Sequence, residues 1–539
     1  MLSSKKIRKE KSQMSKTYLQ EKITGTEGQV VMINGQGNAE AQSKDFGLKP
    51  RLSISVESGA VVTVSGNGET LTQTSSGAVL NFDLSGYGTY TAVATKSGKT
   101  SNTATVKVDT VQIYEAELTF FSATITVTVP SGSTVTCTKG GVTQTKTSTG
   151  TAVFTVTETG TYALKATLDG QEAEDTATIT SNGQSVSVTL AYVHIYGVQW
   201  DGSSSTVWSR TDESANFTNP VPAVNNGTGS SPFDNLMPWS GMVKSTDSAA
   251  GVLVSIPKFW YKWTRSGATM KLQIADKAVD GFSVSPAHQD RGDGSGERDM
   301  VYVGRYHCHT SNYKSQSGGK PKASITRSSA RSSIHNLGST IWQFDFAMLW
   351  TIYMLYLVEF ADWNTQKTIG YGCGNDSGTE NMGATDSMQY HTGTAKSSRS
   401  TYGVGCQYRW IEDLWGNVYD WVDGVYFSSS TIYGIKKPSS YSDTSGGTKI
   451  GTRPTSSGYI SAWGTPTASG FEWALYPSAV AGSESTYITD YCYYSSSGVV
   501  LCCGGSYVQV QSCGLFCLYG SNSASGSSTG IGCRLQKLP

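Results

Sequence analysis

Apolar and polar positions follow two different patterns along the chain. From about Lys49 to Tyr196 they alternate, as at Tyr162, Leu164, Ala166 and Leu168, which turns one face of each strand to a core and the other to water. Gly turns break this alternation into short strands, the pattern of an immunoglobulin-like sandwich. It occurs twice. "SGAVVTVSGNGETLTQTSSGAVLNFDLSGYGTYTAVATKSG" leads to "VQIY", and "SGSTVTCTKGGVTQTKTSTGTAVFTVTETGTYALKATLDG" leads to "VHIY", an internal repeat of roughly 70 to 80 residues. Two sandwiches are predicted, over 46–114 and 115–194, with a spacer role. Tyr87, Tyr90 and Tyr162 sit on or beside predicted strands and form no aromatic cluster that would hold a glycan. Upstream, "ITGTEGQVVMINGQGNAEAQ" reads as a short β segment with tight Gly turns, too small for its own core.

After Tyr196 the alternation stops. The run Phe346 to Val358, interrupted by Thr351, lies in a predicted helix over Phe344 to Asn364 that is apolar on nearly every side and so must be covered by other layers. Asp345 near its start suits the helix dipole. The run falls well short of the roughly 20 residues that span a bilayer. All thirteen tryptophans occur from Trp200 onward, enough for a large aromatic core. Short strands and many turns fill the rest, so 195–539 is expected to be an α+β domain with much irregular loop. The fold class is multidomain and β-rich.

Composition narrows the partners. Lys+Arg and Asp+Glu are equal at 41 each and charged residues make up 15%, leaving no global field to attract nucleic acid or an anionic membrane. The N-terminal "MLSSKKIRKEKSQMSKTYLQ" is basic without an apolar h-region, which argues against a secretory signal; Met14 is an alternative start. Of ten cysteines, Cys492, Cys502, Cys503, Cys513, Cys517 and Cys533 crowd the last stretch. No CxxC pair occurs and the histidines do not complete a zinc spacing, so disulfides, a non-zinc metal site or plain thiols are the alternatives. Synthesis in a reducing cytosol favours free thiols.

Three segments carry a resemblance: "RWIEDLWGNVYDWVDG", Arg409 to Gly424; "CGGSY", ending at Tyr507; and "GIGCRL", which contains Arg534. Trp415 and Trp421 can fill a core, the pair Gly504 and Gly505 permits close backbone approach, and Arg534 can fix a carboxylate bidentately. In order and chemistry the set resembles the C-type lectin fold of formylglycine-generating enzymes, whose "GNVWEW" and "RGGSW…GFR" elements share a core. Cys503 stands where that family has Arg, and Cys533 where it has Phe. Its reactive cysteine would follow the Gly-Gly-Ser element, where this chain has Gln509, with Cys513 and Cys517 only later. Nothing basic lies between Ser495 and Cys533 to activate a thiolate, so an enzyme is not expected.

The tail "YITDYCYYSSSGVVLCCGGSYVQVQSCGLFCLYGSNSASGSSTG" is built from Tyr, Ser, Gly, Cys and Val. It resembles the variable proteins of diversity-generating retroelements, many of them phage receptor-binding proteins with a C-type lectin-type ending. The resemblance implies a segment, about 490–534, rewritten by adenine-directed mutagenesis. Tyr with Ser and Gly is also what paratopes use. Period-two geometry puts Val508, Val510 and Ser512 on one strand face and Gln509 and Gln511 on the other. The expected ligand-binding set is Tyr493, Tyr494, Cys503, Ser506, Tyr507, Val508, Val510, Ser512, Cys517, Tyr519, Ser521, Gly526, Ser528 and Gly530, with Leu515, Phe516 and Ile531 in the core.

No cofactor or catalytic residue is expected. "QDRGDGSGERD" offers Asp290, Asp293, Glu297 and Asp299 as oxygen ligands for a structural Ca²⁺, but a solvated turn is the simpler reading, and "YHCHT" reads as strand residues with His307 and His309 on one side. The resemblance implies residues 1–45 as an attachment or oligomerisation segment, a virion location after synthesis in the host cytoplasm, a homotrimer bound to other tail proteins, and adsorption to a bacterial surface protein or glycan without membrane insertion. A formylglycine-generating-type oxidase and a bacterial surface adhesin are the alternatives.

Overall fold

The computed structural model describes residues 30–33, 39–42 and 49–539, apart from Gly98 and Val404. The chain is β-rich and multidomain, and it divides into two compact units, Met1–Ala191 and Tyr192–Pro539. Most of the expected attachment segment, with Met14, lies outside the described residues; Val30–Ile33 and Ala39–Gln42 pair antiparallel.

In the first unit the alternation becomes two sandwiches of matching plan. Arg51–Ser55 pairs antiparallel with Leu80–Asp83 and parallel with Ile113–Glu117, while Val61–Gly66 lies between Glu69–Thr74 and Gly88–Lys96. Val62 and Val64 face Ala94 and Ala92 across that pair, all four fully buried, so strand parity alone builds this layer. The second sandwich repeats the scheme: Ala123–Thr128 lies between Thr151–Val156 and Ser185–Thr189, and Thr134–Lys139 between Val142–Thr147 and Gly160–Leu168. The repeat extends to single hydrogen bonds. Tyr90 and Tyr162 donate to the carbonyls of Gly86 and Glu158, each four residues back, and Ser75 and Ser148 donate to those of Val56 and Val129. Tyr87 is exposed. The boundary expected after Tyr114 falls inside Ile113–Glu117, because that strand closes the first sandwich by pairing with Arg51–Ser55.

The second unit is organised around one helix. Helix α1 (Arg327–His335) covers a sheet, and helix α2 (Phe346–Phe360) is buried at every position. The helix expected over Phe344 to Asn364 is shorter at both ends. Asp345 is its N-cap, accepting from the Met348 N–H, and Ala361 ends it in the left-handed region at φ 52°. Trp350, Trp363 and Trp463 fill the space around α2 in edge-on and stacked contacts.

The largest sheet orders Thr448–Thr452, Thr431–Gly434, Tyr419–Ser428, Val500–Cys503, Leu518–Asn522, Tyr491–Tyr494 and Gly458–Tyr459. Another sheet inserts Leu535–Lys537 between Met300–Gly304 and Ile341–Gln343. Among the described residues no helix is long and apolar enough to cross a membrane.

Candidate functional site

The three motif segments meet in the core of the second unit. Trp415 and Trp421 are buried there. Gly416 lies so close to Cys373 that a Cβ would sit 2.7 Å from its backbone nitrogen, and at Gly504 a Cβ would meet the Leu414 carbonyl oxygen at 2.5 Å. Both glycines also have positive φ, so no other residue fits without strain. Arg534 is fully buried. It gives one hydrogen bond to Asp420, Nε to Oδ2 at 2.8 Å, and spends its other donors on the carbonyls of Gly304, Arg305, Glu412 and Asp413. The bidentate clamp expected of it is absent because those carbonyls claim the guanidinium.

His307 is buried beside this pair, and burial pulls its pKa down, so the neutral ring donates from Nδ1 to Asp420 Oδ1 at 2.9 Å. His307 and His309 lie beyond the strand Met300–Gly304, and His309 bonds Ser311 instead. In the acidic loop Asp293 pairs with Arg298, and Asp299 and Glu297 with Lys258. Among the described residues no three His, Cys, Asp or Glu side chains come together as a metal site.

The expected ligand face is partly assembled. Across the large sheet four paired positions run from Trp421 through Cys502 and Tyr519 to Tyr493. The first two are buried and the last two half-exposed, so the row emerges from the core at the sheet's edge. Tyrosine continues it: Tyr519 to Tyr493 at 4.8 Å between ring centres, Tyr493 to Tyr491 at 4.5 Å, and Tyr491 to Tyr459 at 5.0 Å. The Tyr493 hydroxyl is hydrogen-bonded by Ser512 and Gln509. Val508 beside them is 56% exposed. Tyr507 bonds Thr529, and Ser521, Gly526, Ser528 and Gly530 are exposed or half-exposed.

Three members of the set do not face out. Cys503 is buried because the sheet has packing on both faces, Cys517 lies just before the strand Leu518–Asn522 and is buried in a core cluster with Tyr419 and Trp421, and Ser506 is buried and donates to Gln509 Oε1 at 2.5 Å. The strand expected through Val508, Val510 and Ser512 is a turn at Tyr507 and Val508 followed by a 3₁₀ turn over Val510–Ser512. Its backbone groups go to loops rather than a neighbouring strand: the Val510 N–H donates to the Gly374 carbonyl and its own carbonyl accepts from Gln366. Leu515, Phe516 and Ile531 are buried.

Groups outside the segment, together with Asp490 at its start, hold it by its backbone. Arg453, 5% exposed, donates to the carbonyls of Gly520 at 2.6 Å, Gly498 at 2.9 Å and Ser495 at 3.2 Å, with its guanidinium between the rings of Phe427 and Tyr494. Burial pulls its pKa down to about 10. The Leu515 N–H donates to Thr365 Oγ1, and the Tyr507 N–H to the Asn417 carbonyl. Asp490 accepts the Phe516 N–H at 2.7 Å, and burial pushes its pKa up to about 8. A small apolar cavity of about 30 Å³ lies beneath, between α2 and the sheet.

All ten cysteines are free and buried. Burial pushes Cys492 up to about 12 and drives Cys502, Cys503, Cys513 and Cys517 well above the ordinary thiol range. Cys308 is hydrogen-bonded to Cys533 and shifted the same way.

No protein-family model and no curated protein matches the chain. Among solved structures it is similar to GBS52, the minor pilin of Streptococcus agalactiae, at 13% identity and TM-score 0.19, over 27% of this chain and 95% of that one. A streptococcal ancillary pilin overlaps at 13% identity and TM-score 0.15, over 28% and 64%. The Bacillus anthracis TIE protein overlaps at 16% identity and TM-score 0.15, over 31% and 42%. Overlaps this partial carry no functional information.

Proposed function

We propose that the chain is a phage tail receptor-binding protein, a retroelement-diversified variable protein whose C-type lectin-type domain adsorbs to a bacterial surface protein or glycan. One observation carries this reading. The half-exposed ladder Tyr459, Tyr491, Tyr493 and Tyr519, bordered by serines and Val508, rests on a segment anchored through main-chain atoms by Arg453, Asp490 and Thr365. Backbone anchoring is indifferent to what the outward side chains are, so they can change while the surface keeps its shape. Tyrosines packed against one another in tilted and edge-on contacts give rigid amphipathic contact area at small entropy loss.

The sandwiches act as spacers, the N-terminal segment attaches the protein to other tail proteins, and a trimer multiplies modest single-site affinity. No reaction belongs to this reading, since a thiol nucleophile needs an accessible, lowered pKa and these thiols are buried and raised.

The test is the neighbouring DNA. A near-copy of the stretch encoding Tyr493 to Arg534, differing at template adenines and lying beside a reverse transcriptase gene, is expected; mismatches spread over all four bases would overturn diversification. Adsorption of purified protein to host cells, lost with Tyr493→Ala and Tyr519→Ala together while the thermal midpoint holds, checks the face itself.

A further inference from the structure

A second hollow adjoins the segment without belonging to it. It opens over about 450 Å³ between the short turn that follows α2 and the loop around Arg399, a volume in the range of small-ligand sites. Lys367 and Arg399 line it, with Tyr371, Gln366, Ser398 and Ser400. No Asp or Glu lines it, and among the described residues neither cation has a carboxylate within ion-pair distance. In a chain whose other buried and half-buried arginines are mostly paired, two unpaired cations on one hollow stand apart.

The walls are fixed. The Tyr371 N–H donates to the Arg399 carbonyl at 3.0 Å, and Arg399 Nη1 donates to the Thr368 carbonyl at 3.2 Å, which leaves the rest of the guanidinium for a ligand. Tyr402 packs on the Tyr371 ring at 4.7 Å. The Ser398 and Ser400 hydroxyls bond each other at 2.9 Å. Gln366 reaches across to the Val510 carbonyl, so the hollow touches the edge of the candidate face.

We propose that this hollow is a fixed subsite for an acidic sugar, a pyranose ring bearing a carboxylate. Arg399 and Lys367 take the carboxylate, since a guanidinium fork and an ammonium are the groups that bind it most strongly. The serine hydroxyls, each able to donate and accept, match ring hydroxyls. The Tyr371 ring offers a flat apolar wall to a sugar face. A lone inorganic anion would leave that wall and most of the volume unused. Because every lining residue lies outside 490–534, the subsite would stay constant while the tyrosine face changes, and its failure would leave the reading of that face standing.

Calorimetric titration of the full chain with digalacturonate, its dimethyl ester and inorganic phosphate tests this. Digalacturonate is expected to bind, and the ester roughly tenfold or more weaker, as is digalacturonate with Lys367→Gln/Arg399→Gln, at an unchanged thermal midpoint. Lys367→Gln alone, at an exposed position, keeps the test readable if the double variant misfolds. Tyr371→Leu is expected to weaken digalacturonate while leaving phosphate unaffected. No heat with digalacturonate, equal binding of the ester, or phosphate binding as tightly as the sugar acid would each overturn the proposal.

Discussion

In the two sandwiches the buried polar side chains are serines, Ser53, Ser75, Ser133 and Ser148, whereas residues 192–539 bury Arg327, Arg409, Arg534, Glu359, Asp345 and Asp420. The serines bond neutral partners within their own sandwich: Ser133 the Pro130 carbonyl, Ser53 the Asn81 side chain on the paired strand, and Ser75 and Ser148 the carbonyls of Val56 and Val129. The buried charges tie together distant parts of the chain: Arg409 to Glu359 at 2.6 Å, Arg534 to Asp420, and Arg291 to Asp345 at 2.8 Å. A core of alternating Val and Ala needs only the right parity, and many sequences supply it. A core of buried ion pairs needs named partners, because a charge left alone there is expensive. The first architecture needs no partners beyond its own strands; the second fixes loops that have no regular hydrogen bonding of their own.

Removing one partner from the charged core should have the largest effect. Arg534→Ala is expected to destabilise the second unit by about 3–5 kcal/mol in denaturant unfolding, since Asp420 loses its guanidinium and four carbonyls lose donors. A loss near 1 kcal/mol would erase the contrast between the two cores. Next comes Gly514→Ala, whose Cβ would meet the Asp490 carboxylate at 2.2 Å; a loss of about 1–3 kcal/mol is expected.

A pH series probes the same aspartate. With its folded pKa raised to about 8, Asp490 keeps its proton in the fold where the unfolded chain has lost it. Its contribution is therefore complete below about pH 4 and disappears as pH rises toward 8. Asp490→Asn should flatten that decline and be the more stable protein at pH 9; an unchanged slope would mean the carboxylate is ionised in place.

In the sandwiches, Tyr162→Phe should lose about 1 kcal/mol and Tyr90→Phe somewhat more, because the Tyr90 hydroxyl reaches Glu69 Oε1 at 2.9 Å as well as the shared type of carbonyl partner. A smaller loss at Tyr90 than at Tyr162 would show that the shared carbonyl bond differs in energy between the two copies. Smallest of all, Val508→Ser should move stability by less than about 0.5 kcal/mol, since the side chain is exposed; under the proposed function it would change host-cell adsorption instead.

The same contrast decides what could be read from the sequence. Alternation with Gly turns announces the sandwiches because period two has a single structural meaning when one face is wet, and Phe346 to Val358 announces a covered helix. Arg453 carried no signal: its partners are carbonyls of Ser495, Gly498 and Gly520, groups that every residue possesses. Val508 to Ser512 imitated a strand by alternating, but its backbone bonds go to Gly374 and Gln366 in loops far away in sequence. Cys503 and Cys517 looked variable by type, yet Cys503 sits in a sheet covered on both faces and Cys517 in the packed turn that leads into it. Arg534, by contrast, was legible as scaffold, although its carbonyl partners were not.

The strand Leu535–Lys537 bridges Met300–Gly304 and Ile341–Gln343, strands made much earlier during synthesis. On the ribosome those two must wait, exposed or loosely collapsed, until Leu535–Lys537 emerges from the exit tunnel. Any copy cut short inside 490–534 lacks the strand that joins them, so that segment and the closure of this second sheet are delivered together, and incomplete copies are left open to proteolysis.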